Sequence, residues 1–250
     1  MTTIETTSAT TSDTTSAPAP ISTDEAPAVP MIDLYRDVHK GIRAELFGVT
    51  LQAGSLDPSD RIARLAFADR VGTLVGLLES HAAHEDEWIQ PVIETYLPSA
   101  ASRIDSDHAA FDTRTADIHE MARAAAQASG EPARTIGHEV YLELASFTSA
   151  YLSHQDLEER VVMPTLAASL TPQAVLEIHE RIVGHIPPAE MAEYLAIMIP
   201  AMNLDDRTEL LGGMRAGAPA EVFIGVWGLV GSLLTPAEVA AIGARLGLPA

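Results

Sequence analysis

The sequence predicts an all-α protein: an up-down-up-down four-helix bundle followed by a small helical C-terminal region. Three observations carry this. Between residues 31 and 170, apolar side chains recur at spacings of three and four, the repeat of one helix face. The runs are parted by short breaks of Gly, Pro, Ser and Asp, and short connections make successive helices antiparallel neighbours. A His-x-x-x-Glu pair occurs on two of the runs, as His81 with Glu85 and His154 with Glu158. Each pair leads through apolar residues to a proline, Pro91 or Pro164.

Residues 1–30 are mostly Thr, Ser, Ala and Pro, with four acids and no base. Such a tail buries too little apolar surface to offset the entropy of ordering, so disorder is expected there. The first helical run begins near Met31 and carries Tyr35, Val38, Ile42, Leu46 and Val49, with His39 beside that face. Gly54 ends it. Asp57-Pro58 reads as the N-cap and first residue of a second helix, which runs through Leu74, His81, Glu85 and Ile89 to Leu97-Pro98. Ser99 or Ser102 opens a third, with His108, Phe111, Ile118 and Met121, closed by Ser129-Gly130. Glu131-Pro132 starts a fourth, through Val140, Leu144, Phe147, Tyr151 and His154, to about Ser169.

A boundary is expected near 170, with a helical region of unassigned role over 171–250. Its short helices are predicted over about 172–184, 188–199, 204–214, 219–234 and 236–247. Thr171-Pro172 and Thr235-Pro236 read as N-cap plus proline, Ala216-Gly217 and Pro219 as a break, and Gly212-Gly213 as ending or loosening a helix. Packing on the bundle, self-association and binding of a protein partner are the roles open to it.

Composition removes several functions. The chain has 35 acidic and 15 basic residues, a net charge of −20. Neither nucleic acid nor an anionic membrane is an expected partner, because both need basic patches. Cysteine is absent, so disulfides, iron–sulfur clusters and thiolate zinc sites are excluded. No signal peptide is legible, and a cytoplasmic location is expected by default.

The chemistry lies in the histidines. Residues four apart share a helix face, so each His-x-x-x-Glu can turn an imidazole and a carboxylate toward one cation. His108 lies 22 residues before Gly130 and His154 lies 24 after it, which sets them level across an antiparallel pair. His39 and His81 match less well about the first connection, 15 residues before Gly54 and 24 after Asp57. Straight helices would put His81 about two turns deeper. Four imidazoles and two carboxylates are costly to bury unless something compensates them, and metal ions would do so. The expected ligands are therefore His39, His81, Glu85, His108, His154 and Glu158. His84, about 60° around the helix from His81, is a further candidate ligand or a group that orients one. Tyr35 and Tyr151, about one turn before His39 and His154, are expected to pack as aromatics, with hydrogen bonding to a bound ligand as the other reading.

This set resembles the hemerythrin family, in its broader His-His-Glu cation-binding branch, over roughly residues 31–169. The resemblance rests on His39, His81-x-x-x-Glu85, His108, His154-x-x-x-Glu158 and the tails into Pro91 and Pro164. It implies two non-haem iron ions, or another divalent metal in their place. It also implies that dioxygen, nitric oxide or peroxide is bound, sensed or reacted with. Oxygen-carrying members place a second His four residues along the third helix; here that position is Asp112, a further candidate ligand. They also place the last carboxylate five residues after its His, here Glu159. Five residues turn about 500°, off the His154 face, so Glu158 is preferred. A ferritin-like centre would need Glu-x-x-His pairs, and 31–169 has none. A di-iron oxidase, peroxidase or oxygenase, and an iron-responsive module acting through 171–250, are the rival functions.

Overall fold

The structure is a computed structural model in which residues 31–248 are described. The predicted disorder of 1–30 lies outside the described residues. All regular structure among the described residues is helical. Four long helices, α1 (Arg36–Ser55), α2 (Arg61–Trp88), α4 (Pro98–Gln127) and α5 (Glu131–Leu157), pack in a ring, α1 on α2, α2 on α4, α4 on α5, and α5 back on α1. The short α3 (Gln90–Tyr96) and α6 (Met163–Ser169) continue α2 and α5 at the same end and touch each other.

Local chemistry sets the ends. The Asp33 carboxylate accepts from the backbone N–H of Tyr35 and Arg36 and so closes the turn that leads into α1. The N-cap of α2 is Asp60, whose side chain accepts from Ala63 N–H at 2.9 Å. This corrects the expectation for Asp57, which instead accepts from Ser59 and closes the preceding turn. The second helix breaks after Trp88, because Pro91 has no N–H to continue the ladder. Between α5 and α6, Glu158–Val162 forms a π turn. Such turns insert one residue into a helix and are frequent at functional sites.

The core has two clusters along the ring. One holds Ile42, Leu46, Val71, Leu74, Ile118, Val140, Leu144 and Phe147. The other, at the α3–α6 end, holds Tyr35, Ile89, Ile93, Ile104, Val162 and Leu166. Each fully buried Leu or Ile contributes roughly 1.5–3 kcal/mol. The buried histidines singled out in the sequence touch both clusters, His39 against Tyr35 and His154 against Phe111 and Tyr151.

Beyond Ser169 come α7 (Pro172–His185), α8 (Pro188–Ala201), α9 (Leu204–Gly217), α10 (Ala220–Leu233) and α11 (Pro236–Leu246). Thr171 caps α7, Asn203 caps α9, and Thr235 with Glu238 forms a capping box on α11. α9 runs through Gly212-Gly213 rather than ending there, and stops at Gly217, at the break marked by Ala216-Gly217 and Pro219. α8 lies on α1 at Gly41, where an added Cβ would come within 3.0 Å of Ile197 and of the Met198 backbone. Tyr194 of α8 joins the bundle core, while Leu195, Ile199, Leu211 and Ile242 form a cluster of their own. Among the described residues, no helix is long and apolar enough to cross a membrane.

Candidate metal centre

The six expected ligands meet inside the ring, and all six are buried. Glu85 joins two groups. In the first, ligand atoms of His39, His81 and Glu85 all lie within 4.8 Å of one another. In the second, those of Glu85, His108, His154 and Glu158 do so. Glu85 Oε1 is 3.1 Å from His81 Nε2, and its Oε2 is 3.5 Å from His108 Nε2. Glu158 mirrors it, with Oε1 3.1 Å from His154 Nε2 and Oε2 3.5 Å from His39 Nε2. Each carboxylate therefore reaches from one pair of imidazoles to the other.

The register follows from the helix ends. His39 stands 16 residues before the end of α1 and His81 stands 20 after the start of α2. The mismatch counted from Gly54 and Asp57 shrinks accordingly, and the two rings sit 5.3 Å apart. His108 and His154 are level as the spacing predicted, with Nε2 atoms 3.1 Å apart.

The outer nitrogens are held as well. Glu159 accepts from His39 Nδ1 at 3.0 Å and from Arg43 at 2.6 Å. Asp86 lies 2.8 Å from His108 Nδ1, and Asp107 lies 3.4 Å from His154 Nδ1. These three acids went unrecognised as partners in the sequence. Their signal was position: each is chain-adjacent to a ligand, Glu158, Glu85 or His108. The π turn separates the two neighbouring glutamates. Glu158 points inward with its side chain 1 % exposed, while Glu159, 29 % exposed, wraps toward α1.

Two candidates are not brought in. The ring of His84 faces α8, 3.9 Å from Glu190 and 6.4 Å from Tyr194. Asp112 is exposed and stands outside both groups, because its turn of α4 has rotated past the ring interior. It borders a void of about 10 Å³ beside His108, Phe111 and Tyr151. That is about the room one water-sized molecule needs. Tyr35 and Tyr151 both pack in the core, Tyr35 with its ring 5.2 Å from His39. Gln155, fully buried beside His154 with both amide atoms unpaired, had no signal in the sequence pattern.

Packing so many titratable groups together shifts them. Burial works against charge on His39, but the hydrogen bond to Glu159 and the nearby carboxylates of Glu85 and Glu158 outweigh it and raise its pKa to about 9. Burial opposes charge on His108 too, and Asp86 and Glu85 lift it to about 10. His81 goes the other way: burial, aided by the neighbouring imidazoles, lowers it to about 4. Glu85 is held well below the carboxylate range, since His81, His108 and His39 overcome its burial. Glu158 is raised by burial and by the charge of Glu85. One carboxylate ionises at the expense of the other.

Metal ions suit this donor set. The Nε2 atoms of His39 and His81, both oxygens of Glu85 and Oε2 of Glu158 are buried without a hydrogen-bond partner. Each such atom costs about 1–3 kcal/mol. Cations between them would satisfy all five, and imidazole with carboxylate suits iron, manganese or zinc. A family model described as the hemerythrin HHE cation binding domain matches residues 31–166. No curated protein and no solved structure matches the chain.

Proposed function

The chain belongs to the hemerythrin HHE cation-binding family, and on that premise we propose that it is a non-haem di-iron protein that binds or senses dioxygen or a related small molecule, nitric oxide or peroxide. The observation that carries this reading is the pair of ligand groups joined through Glu85. His39 and His81 would hold one ion, His108 and His154 the other, and Glu85 and Glu158 would serve both. Bound iron would supply the redox chemistry and the affinity for an oxygen-derived ligand.

The protein's own part is to hold and shield. Four imidazoles from four helices fix the donor atoms, and Phe111 and Tyr151 pack against His154, with Phe147 against both. The void beside His108 is sized for a small molecule rather than an organic substrate, which favours binding or sensing over oxidation of a larger compound. The acidic surface fits a cytoplasmic protein without nucleic-acid or membrane partners.

One contact supports a regulatory variant of this reading. Ser80, next to His81, donates to Glu190 of α8 and accepts from Tyr194 at 3.2 Å. A shift of α2 on metal loss would reach 171–250 through this contact, and through it a protein partner or second copy. Metal analysis with an optical spectrum, before and after exposure to oxygen, tests the main reading. About two irons per chain and an absorption change with oxygen are expected; a purified protein that cannot hold iron overturns it. Proteolysis of metal-free and loaded protein tests the variant, which an unchanged cleavage pattern in 171–250 would sink.

A further inference from the structure

The acids behind the imidazoles form an ordered chain around the ring. Asp86, beside Glu85 on α2, reaches His108 on α4. Asp107, beside His108 on α4, reaches His154 on α5. Glu159, beside Glu158 in the π turn that continues α5, reaches His39 on α1. One step would close the circuit: an acid beside His39 on α1 reaching His81 on α2. The neighbours of His39 are Val38 and Lys40, and Lys40 is drawn away to Asp206 of α9. The polar contact of His81 among the described residues is Glu85, on its own helix. Among the described residues, three ligand imidazoles are thus clamped from behind and His81 is not.

An acid on the outer nitrogen of a ligand histidine fixes the ring and makes it a better donor, and removing one typically costs about 10- to 100-fold in metal affinity. Both imidazoles of the His108–His154 pair are clamped, whereas the His39–His81 pair has one clamp. We infer that the two cation positions are unequal: the position at His108 and His154 fills first and holds its ion tightly, and the position at His39 and His81 is the exchangeable one. This rests on the metal-centre reading above. It gives the site a graded response to metal supply, with a singly loaded form at low metal and a doubly loaded form at high metal.

The test is titration of the full-length, chelator-stripped protein with Zn²⁺ or Mn²⁺, read by calorimetry and by competition with a chromophoric chelator. Two binding steps about tenfold or more apart are expected. His81→Gln should abolish the weaker step and keep the tighter. Asp86→Asn should weaken the tighter step about 10- to 100-fold, and as a surface substitution it leaves a readout if His81→Gln fails to fold. Two equal steps, loss of the tight step in His81→Gln, or an Asp86→Asn effect confined to the weak step would each overturn the inference while leaving the metal centre standing. Failure of the unaltered protein to bind either ion would instead remove the centre, and the inference with it.

Discussion

Replacing Glu85 with glutamine should empty both cation positions while leaving the helices in place. The side chain keeps its shape, so packing is conserved, but its two oxygens stand 3.1 Å from His81 and 3.5 Å from His108 and face opposite positions. With an effective dielectric of about 20, a carboxylate about 4 Å from one unit of positive charge is worth roughly 4 kcal/mol. Losing that at each position lowers affinity by about three decades. The assay is metal content after dialysis against a weak chelator, with circular dichroism to show that helicity is kept. A folded Glu85→Gln protein that holds two ions within about tenfold of the unaltered affinity would refute the idea that this carboxylate serves both.

Metal binding should release protons. In the metal-free protein His39 and His108, raised to about 9 and about 10, are both charged at about pH 7.5, so loading should expel about two protons and affinity should climb with pH. Calorimetry in buffers of different ionisation enthalpy measures this, and identical heats would contradict it. The same two groups bind protons more tightly folded than unfolded. They stabilise the metal-free chain below their unfolded pKa of about 6.5, and that contribution fades as pH rises through about 9 to 10. His81 is the reverse: its stabilisation is present above about 6.5 and is lost as pH falls through about 4. Leu144→Ala, at a position 2 % exposed in the main core, should cost about 2–5 kcal/mol in denaturant unfolding; a loss under about 1 kcal/mol would mean the core is misplaced. Gly41→Val should cost about 1–3 kcal/mol through overpacking and speed hydrogen exchange in α8, since its Cβ would meet the Met198 backbone at 3.0 Å; unchanged exchange would argue against this close crossing.

Much of this protein is legible in one dimension because helices repeat. A face recurs every three or four residues, so the apolar runs, the Pro and Gly breaks and the two His-x-x-x-Glu pairs could be placed without coordinates. The C-terminal helices fell within a few residues of expectation because Thr171, Asn203 and Thr235 are strong local caps. Asp57 misled because Asp-Pro serves equally as a helix start and as a turn, and only the fold decides where α2 begins. The level of His81 against His39 likewise depended on where the first connection lay.

Along the chain, then, the sequence determined the helices, their order and the identity of the side chains that converge. The partnership between helices was left to tertiary structure. That Asp86 backs His108, that Asp107 backs His154 and that Glu159 turns to His39 are contacts between residues far apart in sequence, whose one trace along the chain is that each of the three acids adjoins a ligand, and among the described residues His81 has no such acid behind it. Helical periodicity fixes which way a side chain leaves its own helix. It carries no information on how far neighbouring helices slide or rotate against each other, and that is settled only when the whole ring packs.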